Sequence, residues 1–368
     1  MQASNSPIDT AASAAALEPF FAETAACFDH AARSAGRRTH KGRVGPFSFS
    51  LEFAGPALEP RILPAFGHRI AADAAPEAAQ EAAQGAVPDL RVFLWDAQST
   101  GVVAPVPPWE WGAFVRNEVF VGDRFKIVYK GDSGSLLMYD AGTKRAVCWV
   151  READHIPYYE TGAPLLPVMN WWLESKGCQL AHAGAVGGPD GGVLLVGRGG
   201  SGKSTTALAC LAGGLEYAGD DYCVLAATAP VRVHSLYCSA KLAADSRDRL
   251  PGLTAAIYNP RAAGSEKTLY FLNRLFPDRM ATGFPLRAVL LPRISGTAAT
   301  AMRPVSPAVA LRALAPSTIF QLAGAGGAAL RTLASILRSV PCFEFSVGSD
   351  LARIPEVVRS FLQNGAAP

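Results

Sequence analysis

Eight consecutive residues, Gly197-Arg198-Gly199-Gly200-Ser201-Gly202-Lys203-Ser204, carry the most specific chemistry in this chain. They satisfy the phosphate-binding loop pattern G-x-x-x-x-G-K-[ST] in full. The apolar run Val193 to Val196 precedes them as a buried strand, and Thr205 to Ala212 follows as a helix, so the glycines fall in a strand-to-helix turn. Backbone N–H groups in such a turn converge on a phosphate, and the helix N-terminus adds partial positive charge. Gly197, Gly199, Gly200, Ser201, Gly202, Lys203, Ser204 and Thr205 are therefore the expected nucleoside triphosphate site. Lys203 would reach the β- and γ-phosphates, and the Ser204 hydroxyl would ligate Mg²⁺.

Gly213-Gly214 closes the helix, as glycines do just past helix C-termini. A short, mostly apolar run, Leu215 to Ala218, leads into Gly219-Asp220-Asp221, with Asp220 seventeen positions after Lys203. Apolar residues resume at Tyr222 to Leu225. Two adjacent carboxylates at a strand end can return beside the phosphates. One would hold Mg²⁺, directly or through water, and the other would take a proton from an attacking hydroxyl. Neighbouring side chains on a strand point to opposite faces, which makes this division natural. A plain Asp-Asp turn between two strands is the competing reading, and the complete phosphate loop upstream favours the catalytic one.

Phosphoryl transfer needs positive charge beyond the loop lysine. Lys241, Arg247, Asp248 and Arg249 follow a strand around Val231 to Leu236. Lys267 and Arg293 lie further on. Each of these alone reads more readily as a surface salt-bridge partner. His155 and His234 read as structural histidines. Trp95, Trp109, Trp111 and Trp149 read as core or as a peptide-docking surface.

The stretch Gly192-Val-Leu-Leu-Val-Gly-Arg-Gly-Gly-Ser-Gly-Lys-Ser-Thr-Thr-Ala-Leu-Ala209, followed by Tyr217-Ala-Gly-Asp-Asp221, resembles the core of the HPr kinase/phosphorylases. Upstream, Leu180-Ala181-His182-Ala183-Gly184 matches the place where that family has a histidine beside a small residue. The resemblance implies an α/β fold with a P-loop kinase core related to phosphoenolpyruvate carboxykinase, using ATP and Mg²⁺. It implies that Asp220 or Asp221 acts as base on a serine hydroxyl, with the other near the metal, and that His182 lies in the site. Two features depart from the family. Thr205 replaces its glutamate, and its acidic-Ile-Arg-Gly signature is missing, which points away from the phosphorolytic reaction. The layout is closer to the divergent serine kinases of proteobacteria, several of which accompany lasso-peptide genes and phosphorylate a precursor peptide. Pro285 to Arg293, Ala315 to Thr318 and Val340 to Asp350 look similar to that subgroup. The specific match covers about residues 165–225, and the first 150 residues carry no resemblance. The expected activity is thus serine phosphorylation of a small protein or precursor peptide. A metabolite kinase and a non-catalytic nucleotide-binding module are the alternatives. Because HPr kinases form hexamers, the resemblance also makes a homo-oligomer plausible.

The elements that must position these residues follow from composition and pattern. A chain of 368 residues with 49% hydrophobic and 18% charged residues is long enough for about two domains, and is not an extended disordered protein. A net charge of +3 demands neither nucleic acid nor an anionic membrane. The seven cysteines form no C-x-x-C pair and no zinc spacing, which suits reduced thiols in a cytoplasmic protein. No secretory signal or membrane span is legible. We expect a flexible leader over 1–15, a β-rich α+β N-terminal domain over 16–160, and a catalytic domain over 161–368. Within the first, Ala16 to Arg33 reads as a helix, and Arg37-Arg38 to Lys41-Gly-Arg43 as a solvated basic loop. Ala71 to Val87 reads as a surface helix or insertion. Strands are expected at Phe47 to Phe53, Arg91 to Trp95, Phe125 to Tyr129, Ser135 to Tyr139 and Ala146 to Val150, with a turn at Gly131 to Gly134. Leu165 to Lys176 reads as an amphipathic helix leading into the catalytic core.

Overall fold

The computed structural model describes residues 10–70, 87–107, 118–130, 134–243, 250–259 and 266–365. Residues 1–9 of the expected leader, most of the Ala71 to Val87 segment, Trp109, Trp111, Arg247, Asp248, Arg249 and most of the Gly131 to Gly134 turn lie outside the described residues.

Helix α1 runs from Thr10 to Ala35, so it takes up the last six residues of the expected leader. Leu17, Phe20, Phe21, Phe28 and Ala31 recur at helical spacing and are buried against Phe93, Trp95, Phe125, Ile127 and Trp149 of the sheet below. That sheet contains β1 (Arg37–Val44), β2 (Phe47–Ala54), β3 (Leu90–Asp96), β4 (Glu118–Val121), β5 (Phe125–Lys130), β6 (Ser135–Asp140) and β7 (Arg145–Val150). Their spatial order is β1-β2-β3-β7-β6-β5-β4. The basic cluster expected to be a loop is strand β1, paired antiparallel with β2 along its whole length. It is an edge strand, and charged side chains on such an edge discourage pairing with another chain. Arg37 meets Asp29 at 2.7 Å and Arg38 meets Glu59 at 3.2 Å.

Two short helices, α2 (Tyr158–Gly162) and α3 (Leu166–Ser175), lead to the second half. The expected amphipathic helix is α3, and it is not amphipathic: Pro167 to Leu173 are all buried. The reason is its place between two sheets. Trp172 meets Phe47 and Phe49 of β2 edge-on, while the same hydrophobic cluster continues into Leu180 and Val224 of the second sheet.

The second sheet is built from β8 (Cys178–Ala181), β9 (Gly184–Gly188), β10 (Gly191–Leu195), β11 (Glu216–Gly219), β12 (Cys223–Ala226), β13 (Arg232–Ser235), β16 (Gly283–Ile294), β17 (Ala301–Val305) and β18 (Cys342–Val347). A separate ribbon pairs β14 (Ser239–Leu242) with β15 (Thr268–Phe271). The long β16 lies at the centre, parallel to β10 on one side and to β18 on the other. Alternation along the strand before the glycine loop defines the layers. Val193 and Leu195 face helices α4 (Lys203–Ala212) and α7 (Arg353–Asn364). Leu194 and Val196 face α5 (Pro307–Ile319) and α6 (Gly327–Ser339). The result is a helix–sheet–helix sandwich with the glycine loop at its edge, a mixed α/β architecture. All seven cysteines are free thiols, six of them buried. Among the described residues no helix is long and apolar enough to cross a membrane.

Candidate active site

The loop leaves β10 and enters α4, whose first residue is Lys203. Two glycines fix its shape. A Cβ on Gly197 would stand 2.6 Å from the Ser201 hydroxyl oxygen, and Gly202 adopts φ +104°, which side chains rarely tolerate. Nothing lies within 4 Å of where a Cβ would be on Gly199 or Gly200, so the loop's mouth is open. Lys203 is 7% exposed, and its Nζ donates to the carbonyls of Gly197 at 2.7 Å and Arg198 at 3.1 Å. Burial lowers its pKa, Asp220 and Asp221 pull it back up, and Lys267 lowers it again. The hydroxyls of Ser201 and Thr206 are buried without a partner.

Asp220 and Asp221 sit in the bend between β11 and β12 rather than within a strand. Their separation onto different neighbours is therefore made by the bend, not by strand alternation. Asp220 is 1% exposed. One oxygen accepts the Lys241 backbone N–H at 3.2 Å, Ser204 is near enough to favour the ionised carboxylate, and Oδ1 has no partner. Burial and the charge of Asp221 push its pKa up to about 6, against the pull of Ser204, Lys241 N–H and Lys203. Asp221 lies on the other side, 2.6 Å from Lys241 Nζ and 3.8 Å from His182 Nε2. Burial works to raise its carboxyl, but Lys241 and His182 outweigh that and hold it well below the usual carboxylate range.

Lys241 is fixed by packing. It belongs to β14, where the Ser239 hydroxyl donates to the Gly162 carbonyl, and the nearby Tyr237 hydroxyl donates to Pro164 O at 2.7 Å. Its stem passes the bare Cα of Gly162, where a Cβ would come within 2.9 Å of Lys241 Cε. His182 lies in the loop after β8. Its backbone N–H donates to Thr318 Oγ1 at 3.0 Å, its Nδ1 has no partner, and its ring faces that of Tyr222 at 5.4 Å. Tyr222 in turn donates to Gln321 Oε1 at 2.8 Å.

The structure thus brings together Lys203, Ser204, Asp220, Asp221 and His182, and adds Lys241 from among the weaker cation candidates. Lys267 is exposed yet close enough to affect Lys203 electrostatically. Arg293 is elsewhere engaged: it pairs with Glu344 on the adjoining strand at 2.9 Å, and Arg303 shares that carboxylate. His155 is exposed beside Glu152. His234 is buried, and burial pushes its pKa down to about 4. Trp95 and Trp149 belong to the core under α1 rather than to a docking surface.

Apart from Lys241, sequence reasoning missed the neighbours on the Asp221 side. A cavity of about 500 Å³ is lined there by Lys241 and Tyr222, by Lys130 of β5, by Tyr159 and Glu160 of α2, and by Phe320 after α5. Lys130 and Glu160 pair across it at 2.8 Å. These residues are brought together from five segments, so no spacing announces them.

Among the described residues no cluster of three or more His, Cys, Asp or Glu side chains could hold a metal unaided. A dication fits the site in another way. The Ser204 hydroxyl and Asp220 form a small all-oxygen donor set beside the loop, and Asp220 keeps one buried oxygen without a partner. Mg²⁺ characteristically binds through one or two carboxylates plus substrate phosphates.

No family model matches the chain, and no curated protein matches it closely enough to count as a relative. Among solved structures, the HPr(Ser) kinase/phosphatase from Coxiella burnetii is similar over 51% of this chain and 90% of that chain, with 14% identity and a TM-score of 0.30. So distant a likeness carries no weight for the site, whose chemistry rests on its own geometry.

Proposed function

We propose that this protein is an ATP- and Mg²⁺-dependent kinase that transfers the γ-phosphoryl group to a serine hydroxyl of a peptide or small protein. One observation carries the reading: the two adjacent carboxylates face different neighbours, Asp220 the loop's Ser204 and Asp221 the cavity wall made by Lys241 and Tyr222. In this reading the loop amides and Lys203 hold the phosphates. Ser204 and Asp220 hold Mg²⁺, which when bound would neutralise phosphate charge. Asp221 accepts the serine proton as the serine oxygen bonds to phosphorus and the bond to the ADP oxygen breaks. Lys241 supplies the cation beyond the loop lysine, and His182 orients Asp221.

The titration of the pair points the other way, since Asp220, with the higher pKa, would be the stronger base. The placement of the two carboxylates favours Asp221 instead. Asp220 is buried beside the phosphate loop, and the charge of a dication there would oppose the burial and the Asp221 charge that raise its pKa. Asp221 pairs with Lys241, whose side chain lines the cavity. The test is phosphopeptide mass spectrometry with Mg-ATP and serine-containing peptides, with Asp221→Asn in parallel. One phosphoryl group added to serine, and lost in the variant, is the expected result. Tight ATP binding with transfer only to a small metabolite would favour a metabolite kinase. Binding without transfer to either would favour a regulatory module.

A further inference from the structure

We infer that the cavity beside Asp221 receives the residue next to the acceptor serine, and that it selects an uncharged apolar or aromatic side chain, with Tyr159 and Phe320 setting the choice. This rests on the serine-kinase reading above. The volume of about 500 Å³ falls within the range of small-molecule pockets and far exceeds the need of one serine side chain. Something larger than the reacting residue fits there.

The charges in its wall are already matched. Lys241 holds Asp221 at 2.6 Å and Lys130 holds Glu160 at 2.8 Å. Both pairs are largely shielded, with side chains no more than 19% exposed. An acidic or basic substrate side chain would have to break one of them and leave a shielded charge unpaired, which is costly. A neutral side chain leaves both intact. Most of the rest of the lining is apolar, including Ala163, Leu166 and Leu322, and the polar groups it adds, the Gln321 amide and the tyrosine hydroxyls of Tyr159 and Tyr222, are neutral.

The rim supplies the second argument. Phe320 is 88% exposed and Tyr159 46%, two of the few exposed large hydrophobic side chains among the described residues, and both line this cavity. Aromatic side chains at the edge of a pocket are the kind that dominate recognition when a partner covers them. Phe320 adjoins Gln321, which accepts the Tyr222 hydroxyl beside His182, so the rim is tied to the reacting group. The lining also draws Val128 and Lys130 from the N-terminal sheet, so a ligand seated here touches both halves of the molecule.

The test uses the full chain, Mg-ATP and two sets of capped seven-residue peptides with a central serine in glycine. Phe, Leu, Ala, Glu or Lys is placed on one side of the serine or on the other. In one set, kcat/KM is expected to be at least tenfold higher for Phe and Leu than for Ala, Glu and Lys. Phe320→Ala should raise KM for the Phe peptide about tenfold and flatten the preference, while Phe320→Leu retains most of it. Melting temperature and nucleotide affinity should stay unchanged. Calorimetry with serine-to-alanine peptides reads the same preference without turnover. Equal kcat/KM across both sets, or a preference for Glu or Lys, overturns the inference and leaves the kinase reading standing. Absence of transfer to every peptide, despite Mg-ATP binding, overturns both.

Discussion

Replacing Asp220 by asparagine removes a buried negative charge that the protein only partly compensates. The residue is 1% exposed and one carboxylate oxygen has no partner. Its carboxyl is pushed from 3.8 to about 6, so above pH 6 the folded state carries a cost of about two pH units. At about 1.4 kcal/mol per unit, that is at most about 3 kcal/mol. The sign follows from proton binding. Between about pH 4 and 6 the folded chain holds the proton more tightly than the unfolded chain, so this group's contribution to stability falls as pH rises through that window. Asparagine removes the dependence but must place an amide among donors, at a cost of about 1–3 kcal/mol. The net expectation is that Asp220→Asn melts higher than wild type by roughly 1 kcal/mol, or a few degrees, at pH 8. At pH 5 the advantage disappears or reverses. The assay is thermal denaturation from pH 5 to 8, with and without Mg-ATP. Mg-ATP should stabilise wild type clearly more than the variant, which keeps the loop and Lys203 but loses one metal ligand. A variant less stable than wild type at pH 8, or a difference independent of pH, would refute the argument that Asp220 is a strained, cation-seeking carboxylate.

Lys241→Ala should cost about 2–3 kcal/mol at pH 7, short of the loss for a wholly buried orphan charge, because Asp221 is left largely shielded with only His182 at 3.8 Å beside it. The Lys241→Ala/Asp221→Asn double variant should recover part of that in a double-mutant cycle. Because the Asp221 pKa is depressed, the pair's contribution is full above about pH 4, the unfolded value, and this loss should fade as pH falls from there toward the depressed folded value. Gly202→Ala has room for its Cβ, with the nearest atom 3.7 Å away, but φ +104° strains it. Its nucleotide affinity, measured by titration calorimetry, should fall about tenfold, with a loss of about 1–2 kcal/mol in stability. A thiol reagent should modify Cys27 alone in the folded chain, since the other six cysteines are buried and burial pushes Cys148 and Cys210 up to about 12.

What the sequence made legible was local. The loop from Gly197 to Ser204, its flanking strand and helix, and the Asp220–Asp221 pair sit within about thirty residues, where hydrophobic pattern and turn chemistry speak directly. His182 entered by resemblance and is found beside Asp221. Lys241 was only one cation among several, because its place depends on β14 pairing with β15 and on the bare Gly162 beside its stem. Those are contacts between distant segments that no spacing encodes. The same holds for Lys130, Tyr159 and Phe320. Strand β1 shows no strand pattern in its sequence because an edge strand needs no apolar face to be paired, only backbone hydrogen bonds with β2. Helix α3 was read as amphipathic because Leu165 to Lys176 ends in polar residues, whereas two sheets close over its whole middle.

That last difference bears on how the two halves work together. The strands up to residue 150 form one sheet and those from Cys178 the other, yet one hydrophobic cluster runs from Phe49 through Trp171 and Trp172 to Leu180 and Val224. Helix α3 joins them on two sides: Trp172 meets Phe47 and Phe49, and the Trp171 indole N–H donates to Ala323 O at 2.8 Å. Ala323 lies in the same segment as Phe320 and Gln321, so the segment that rims the cavity is pinned to the helix between the sheets. Removing the first sheet would strip apolar cover from α3 and take Val128 and Lys130 from the cavity, leaving Glu160 unpaired. The phosphate loop draws on the second sheet alone. The cavity beside Asp221 requires both, so in the proposed reaction the N-terminal half acts on the acceptor rather than on the nucleotide.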